Sequence, residues 1–588
     1  MRRSVAGAFG VVGVVALLGV GGRSTVPAAM PGPELAGLWA AHRQFGPQVD
    51  GPLELVRTTN GWRATVGGFS APVEVEGDTV RFSLPGERGE FRGRFENRDA
   101  ARPVVRGHWI QPRNVRSFAR MATPVTLEPA DPGRWTGVVT SLPDELHLYL
   151  VFEQRDDGSL TAFLRNPEAN IGRFYPIDRV VMAGDTVEFR DADGQTLLQG
   201  RYDPNFDRLS VYFPWNGGTY DFERADGASR FYPRPVDDPP YEYRSPPPGD
   251  GWDVARPEDV GMDTAPLVEM VRMIATTPID AIGAPDIHGI LVARHGKLVL
   301  EEYFHDYTRH ELHGTRSASK SVTTTLVGIA AHEGTLTLDA PVYETMYGGA
   351  PPPDLDPRAR RMTLEDLVTM TPGLACDDSD PDSPGGEDRM QNQEEQSDWF
   401  RYTLELPMAH EPGEHAAYCS ASQNLAGGML SRLSGEWLPD FYRDHFAGPL
   451  GAEHYAMNLA PDGEGYGGGG LYVLPRDFLK LGQLYLNDGT WRGRRLLDRG
   501  WAATATRTHF QIRDEGYGYG WWVFSYPWRG RELPAFYAGG NGGQYVIVVP
   551  ELDLAVAIFG GNYNQRVMHV PKYEYVRDYV VSAVRPGT

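Results

Sequence analysis

A serine followed three residues later by a lysine, Ser317-Ala318-Ser319-Lys320, is the pairing in this chain most suited to covalent chemistry. A serine hydroxyl is a weak nucleophile until a neighbouring base takes its proton. On a helix, residues three apart share a face, so Ser317 and Lys320 can point into one cleft. If the helix starts near Ser317, its free N–H groups and positive dipole end lie beside the nucleophile. They would steady an oxyanion and disfavour a protonated amine. The choice of lysine is itself informative. The chain has 56 Lys plus Arg but only four lysines (Lys297, Lys320, Lys480 and Lys572), leaving 56 − 4 = 52 arginines. Arginine keeps its proton in proteins, whereas a lysine amine can be desolvated until it titrates near neutrality.

The pattern 290–300 (Ile-Leu-Val-Ala, a turn at His295-Gly296, then Leu-Val-Leu) predicts a hairpin ahead of this helix. Val322, Leu326 and Ile329 fit helical spacing, and Gly334 ends the helix. Strands at Tyr545–Val549 and Leu554–Phe559 and an amphipathic helix near Tyr573–Val584 close the chain. Strands at both ends of a helical middle predict an antiparallel sheet flanked by helices.

A second segment reads Pro412-Gly413-Glu414-His415-Ala416-Ala417-Tyr418-Cys419-Ser420, with a helical run from Asn424. Ser-x-x-Lys followed about a hundred residues later by Pro-Gly-x4-Tyr-x-(Asn/Ser) resembles the β-lactamase-related serine hydrolases: class C β-lactamases, D-specific peptidases, family VIII esterases and nylon-oligomer hydrolases. The resemblance spans Trp252–Thr588. It includes Thr363–Val368, Thr371-Pro372-Gly373-Leu374, Gly468–Leu471 and Arg476-Asp477. It implies an α/β (α+β) β-lactamase/transpeptidase-like domain in which Tyr418 is a general acid/base. Ser420 stands where the family usually has asparagine, at a substrate-binding position. The family's third motif, Lys-Thr-Gly or His-x-Gly, falls at Tyr537-Ala538-Gly539-Gly540, without lysine or histidine. In carboxylate-recognising relatives that cation or its neighbours hold the substrate's acid group. An ester or amide lacking that carboxylate is therefore the expected substrate, bordered by Tyr537 and Gly539. The N–H groups of Ser317 and Gly540 are the expected oxyanion hole.

The first half is different. Residues 34–228 read as short alternating strands with Gly, Asp, Asn and Pro turns, and they repeat. Gly37-Leu38-Trp39 recurs as Gly133-Arg134-Trp135, and Asn60-Gly61 as Asp157-Gly158. Gly77-Asp78-Thr79-Val80 recurs as Gly184–Val187, and Gly93-Arg94-Phe95 as Gly200-Arg201-Tyr202. The offset grows from 96 or 97 to 107, as if the second copy gained a loop near Asn166–Pro176. The fold class is thus multidomain, with an N-terminal all-β half of two similar antiparallel barrel- or sandwich-like units. The expected divisions are 1–29 signal peptide, 30–128 first β unit, 129–228 second β unit, 229–251 proline-rich linker and 252–588 hydrolase domain.

Composition narrows the alternatives. A net charge of −22 disfavours nucleic acid and anionic lipid. Met1-Arg2-Arg3, an apolar stretch to Val20 and small residues near Ala28-Ala29 predict export to periplasm or exterior, with an uncleaved anchor as the lesser alternative. The rest has no long apolar run. The even pair Cys376 and Cys419 invites a disulfide in that compartment. No histidine pattern marks a catalytic metal, and Gly467–Gly470 and Gly539–Gly543 lack the Lys-Ser/Thr of a phosphate loop, so no cofactor is expected. Asp377–Asp382 lacks a calcium loop's glycine and reads as a solvated rim. The leading reading is an exported serine hydrolase acting on a small ester, amide or peptide. The alternatives are a cell-wall D-peptidase or β-lactamase, and a non-catalytic surface protein whose β units bind a partner.

Overall fold

The computed structural model describes residues 35–46, 48–96, 103–214, 216–392 and 397–587. The signal-peptide expectation falls outside them. No described helix is long and apolar enough to cross a membrane.

Sixteen strands between Gly37 and Arg224 form two closed eight-stranded barrels, but the chain is not cut between them at 128/129. The first barrel contains seven strands from Gly51–Thr58 to Arg120–Asp131 and is closed by Arg134–Val139, the first strand of the second copy. The second barrel takes Gly37–Gln44, the first strand of the first copy, between Glu145–Gln154 and Gly218–Arg224. The two copies have exchanged their leading strands. Each Trp of the repeated Gly-x-Trp motif therefore anchors the other copy's core. Trp39 meets Phe152 and Tyr202 edge-on at 6.4 and 6.1 Å, and Trp135 meets Phe95 at 5.3 Å.

Trp39→Ala is expected to cost about 3–5 kcal/mol, as for a large buried aromatic truncated to alanine. In hydrogen exchange the loosened amides should fall in 145–224, across the sequence boundary, and not in 51–131.

The proline-rich segment is a strap bound to the second half of the chain. His305 N donates to Pro233 O at 3.0 Å, Tyr243 Oη to Val299 O at 2.8 Å and Arg476 Nη2 to Pro247 O at 2.7 Å. Its prolines leave the strap's carbonyls free to accept from side chains.

The second half of the chain is built on a nine-stranded sheet in the order 253–254, 297–303, 287–294, 554–560, 544–549, 531–540, 522–528, 515–517, 510–512. All its pairings are antiparallel except that of the two-residue edge strand 253–254. The strands 287–294 and 554–560 are buried along their whole length, as expected for a sheet covered on both faces. The helices Ser319–His332 and Ser420–Ser434 are apolar or small nearly all round and pack together under the site. The closing helix Pro571–Val581 is π-wound.

The barrels and the second half are joined by hydrogen-bonded backbone. Met457, Asn458 and Leu459 pair with Ala122, Met121 and Arg120 of the first barrel. The second barrel docks through a buried ion pair, Arg165 Nη2 to Asp286 Oδ2 at 3.0 Å, with His288 Nε2 and His305 Nε2 each 3.3 Å from Asp286 Oδ1. Burial holds His305 down to about 4, although Asp286 pulls the other way. Burial would raise the Asp286 carboxyl, but Arg165, His288 and His305 hold it well below the carboxylate range. An unfolded histidine titrates near 6.5. As pH falls from there towards 4, the unfolded chain binds a proton that folded His305 refuses, so stability must fall. The Asp286 contribution is present above about pH 4 and is lost only below it. The melting temperature should therefore drop between pH 6.5 and 4, and the His305 part of that slope should vanish in His305→Phe.

Candidate active site

Ser317 lies in a 3-10 turn, Arg316–Ala318, immediately before the α-helix Ser319–His332. The residue before it, Arg316, is held at φ 50°, in the left-handed region that non-glycine residues avoid. Two contacts hold this turn in place. Thr315 N and Oγ1 both donate to Leu471 O, at 2.9 and 2.8 Å. On the other side, a Cβ at Gly540 would lie 2.2 Å from Thr315 O and 3.1 Å from Ala318 N. Only glycine lets the strand 531–540 approach the Ser317 turn so closely. The expected partners of an oxyanion hole are therefore adjacent.

Lys320 Nζ donates to Ser317 Oγ at 3.0 Å and to Gly468 O at 2.5 Å, with the residue 1 % exposed. The glycine run explains how that carbonyl arrives. A Cβ at Gly467 would lie 2.9 Å from Gln423 O, and one at Gly468 2.7 Å from Ser420 O, so side chains there would push the loop off the helix 420–434. The amine's charge state differs from the expectation. Burial favours the neutral form, yet Tyr418, Glu387 and Asp378 outweigh it and raise Lys320 above the ordinary lysine range.

Tyr418 joins this pair, its ring centroid 5.0 Å from Lys320 Nζ. The ring stacks on Trp522 at 5.5 Å and meets Tyr517 edge-on at 6.3 Å, which fixes its direction. Cys376 and Cys419 are disulfide-bonded with Cα atoms 5.5 Å apart. The bridge ties the loop 376–386 to the residue after Tyr418.

The Asp377–Asp382 loop is not wholly a solvated rim. Asp378 turns inward, accepting from Ser420 Oγ at 2.6 Å, Ser420 N at 2.9 Å and Glu387 N at 2.9 Å. Burial raises its carboxyl while Lys320 pulls it back down. Ser420 is fully buried, with its hydroxyl donating to Asp378. Glu387 accepts from Tyr466 Oη at 2.5 Å. Sequence reading missed Asp378, Glu387 and Tyr466. Their one visible signal was the density of acids in 377–388.

At the third motif, Tyr537 is 5 % exposed and its hydroxyl donates to Glu515. Lys572 of the closing helix lies 3.8 Å from the Tyr537 ring centroid and 4.0 Å from that of Tyr573, and it pairs with Glu515 at 3.1 Å. It is 1 % exposed, and burial lowers its amine to about 8. Gly539 remains half-exposed, where a Cβ would strike the Tyr537 ring at 2.6 Å.

A model of the Beta-lactamase family matches residues 279–569. The 6-aminohexanoate-dimer hydrolase of Paenarthrobacter ureafaciens is 25% identical over 240 residues, covering 39% of this chain and 59% of that protein. The D-alanyl-D-alanine-carboxypeptidase/endopeptidase AmpH of Escherichia coli K12 is 23% identical over 274 residues, covering 41% of this chain and 69% of that one. Among solved structures, the penicillin-binding protein homologue of Pyrococcus abyssi aligns with 50% of this chain and 75% of its own at 19% identity and a TM-score of 0.39.

Proposed function

The chain belongs, through residues 279–569, to the β-lactamase-related serine hydrolases, and from that premise we propose that it cleaves an ester or amide through an acyl-enzyme on Ser317. The observation that carries this is the 3.0 Å contact between Lys320 Nζ and Ser317 Oγ beneath the ring of Tyr418. The raised Lys320 amine shapes the steps. Lys320 holds its proton and steadies negative charge on Ser317 Oγ and on Tyr418, which enters the step as the phenolate, takes the serine proton and becomes the phenol. Ser317 Oγ attacks the substrate carbonyl, and the tetrahedral oxyanion lies between the N–H groups of Ser317 and Gly540. Tyr418 returns the proton to the departing alcohol or amine. Water then attacks the acyl-serine by the same route and releases the acid.

The disulfide suits an exported enzyme, since reducing compartments keep thiols apart. A cell-wall D-peptidase or β-lactamase gains less support. The third-motif strand presents no cation to the site, and Tyr537 points to Glu515. A purely binding role leaves the buried Ser317–Lys320 contact without purpose.

Labelling with a serine-reactive phosphonate tests the proposal. The wild-type protein should be labelled at Ser317 and Ser317→Ala should not. Equal labelling of both sinks the assignment.

A further inference from the structure

The outer face of the second barrel carries a group of ligand-bearing side chains that the chemistry at Ser317 does not use. His42, on the exchanged strand Gly37–Gln44, lies directly opposite His147 of the strand Glu145–Gln154, and Glu145 stands two residues along on the same face. The two imidazole rings stack at 4.3 Å. His42 Nε2 is 2.9 Å from Glu145 Oε2, and one ligand atom from each of the three residues lies within 4.8 Å of the other two. A direct cross-strand pair with a diagonal neighbour brings three side chains to one point above a sheet. Among the described residues no other trio of histidine, cysteine or carboxylate groups is so disposed.

Deeper groups prepare His147 as a ligand. Its Nδ1 is 2.6 Å from Glu168 Oε1, on a carboxylate 4 % exposed. Burial would raise Glu168, but its interactions with His147 and Arg116 hold it below the usual carboxylate range. His147 Nδ1 therefore carries the proton that binds Glu168. Arg230 Nη1, which can only donate, lies 3.4 Å from His147 Nε2, so that nitrogen presents its lone pair outward. A carboxylate on the far nitrogen of a histidine fixes its tautomer and raises its basicity as a metal ligand. A bound ion would take the lone pair that Arg230 touches, and Arg230 would keep its bond to His305 O at 3.3 Å.

We propose that His42, Glu145 and His147 bind a divalent metal cation, and that this ion is a structural clasp on the exchanged strand. Two imidazoles and one carboxylate form a borderline donor set, which suits zinc. The clasp joins segments distant in the chain. It fastens the strand 37–44 to the strand 145–154, and through Glu168 it reaches the loop 166–176, where Asn166 Nδ2 donates to His147 O at 2.9 Å. Asn170 of that loop donates to Tyr563 O at 3.2 Å in the second half of the chain. The unfolded chain does not assemble the trio, so the ion stabilises the folded state.

Tag-free full-length protein, stripped with EDTA and titrated with Co²⁺ or Zn²⁺, makes the test. The wild type should take up a single Co²⁺ per chain with the visible absorption of a nitrogen- and oxygen-ligated site, and Zn²⁺ should displace it and raise the melting temperature. His42→Ala and Glu145→Gln, at surface positions of the barrel, should each lose both the spectrum and the zinc-dependent rise. Glu168→Gln should weaken zinc about ten- to a hundredfold, the usual effect of removing a carboxylate behind a ligand. His410→Ala, which breaks the other closely packed histidine pair, His410 and His415 at 4.3 Å, should change neither readout. A wild type that takes up no stoichiometric Co²⁺, or His42→Ala and Glu145→Gln variants that bind as the wild type does, overturns the proposal.

Discussion

Lys320→Arg should lower kcat by about three orders of magnitude although it keeps the positive charge, the upper end of what losing one preorganised donor to developing negative charge costs. The reason is geometric as much as electrostatic. Lys320 Nζ makes two directed contacts, 3.0 Å to Ser317 Oγ and 2.5 Å to Gly468 O, in a site where it is 1 % exposed. A planar guanidinium is wider than an ammonium and cannot make both without pushing the 467–470 backbone off the helix 420–434. That backbone has no slack, because Gly468 already excludes a Cβ at 2.7 Å from Ser420 O. Lys320→Met separates charge from shape. It should fold at least as well as Lys320→Arg and be equally inactive. Steady-state turnover of an activated ester, read beside the melting temperature, checks both. If Lys320→Arg keeps a tenth of wild-type kcat, the two directed contacts of the Lys320 ammonium are not what the reaction needs. The raised amine also sets the alkaline limit: deprotonation of Lys320 should reduce activity only above the ordinary lysine range.

How much of this was legible in the sequence follows from how local each feature is. Ser317 and Lys320 are one helical turn apart, so their contact follows from helix geometry. The repeat was legible because turn residues at fixed spacing mark strand boundaries. The strand exchange was not. Gly37–Gln44 and Arg134–Val139 both carry the tryptophan of the repeated Gly-x-Trp motif, so that motif alone cannot assign the partner barrel. Lys572 was invisible for another reason. It joins Tyr537 and Glu515 only after the closing helix folds back on the sheet, and no local period encodes that. The acids at 377–388 were visible as a cluster, but their direction depends on the Cys376–Cys419 bridge and on helix N-termini that tertiary packing places. Among the four lysines the scarcity was a fair guide. Lys320, Lys480 and Lys572 are all buried at defined acceptors, Lys480 against Asp477 at 2.6 Å.

Removing the barrels should abolish labelling at Ser317, even though no barrel residue is assigned to the chemistry. The strand 455–459 pairs with Arg120–Ala122 on one side and with 471–473 on the other, and 471–473 pairs in turn with His313-Gly314. That last strand leads through Thr315 into the nucleophile's turn. The loop 465–470 between 455–459 and 471–473 supplies Gly468 O to Lys320. Without the barrel, 455–459 becomes an unpaired edge, and the apolar cluster of Ile110, Ala122, Trp437 and Leu459 is halved. Asp286 also loses Arg165, the first of the three groups that offset its burial, and keeps only His288 and His305. Two full-length variants apportion these losses. Ala122→Pro breaks the ladder beside Met457 and should slow labelling at Ser317 about a hundredfold, the scale of one mispositioned oxyanion donor. Arg165→Met should chiefly lower the melting temperature, and adding Asp286→Asn should recover part of it, since removing both charges costs less than stranding one. A 229–588 fragment labelled at the wild-type rate would show that the barrels are accessory. Loss of labelling in Ala122→Pro with an unchanged melting temperature would show that the first barrel positions the nucleophile as well as stabilising it.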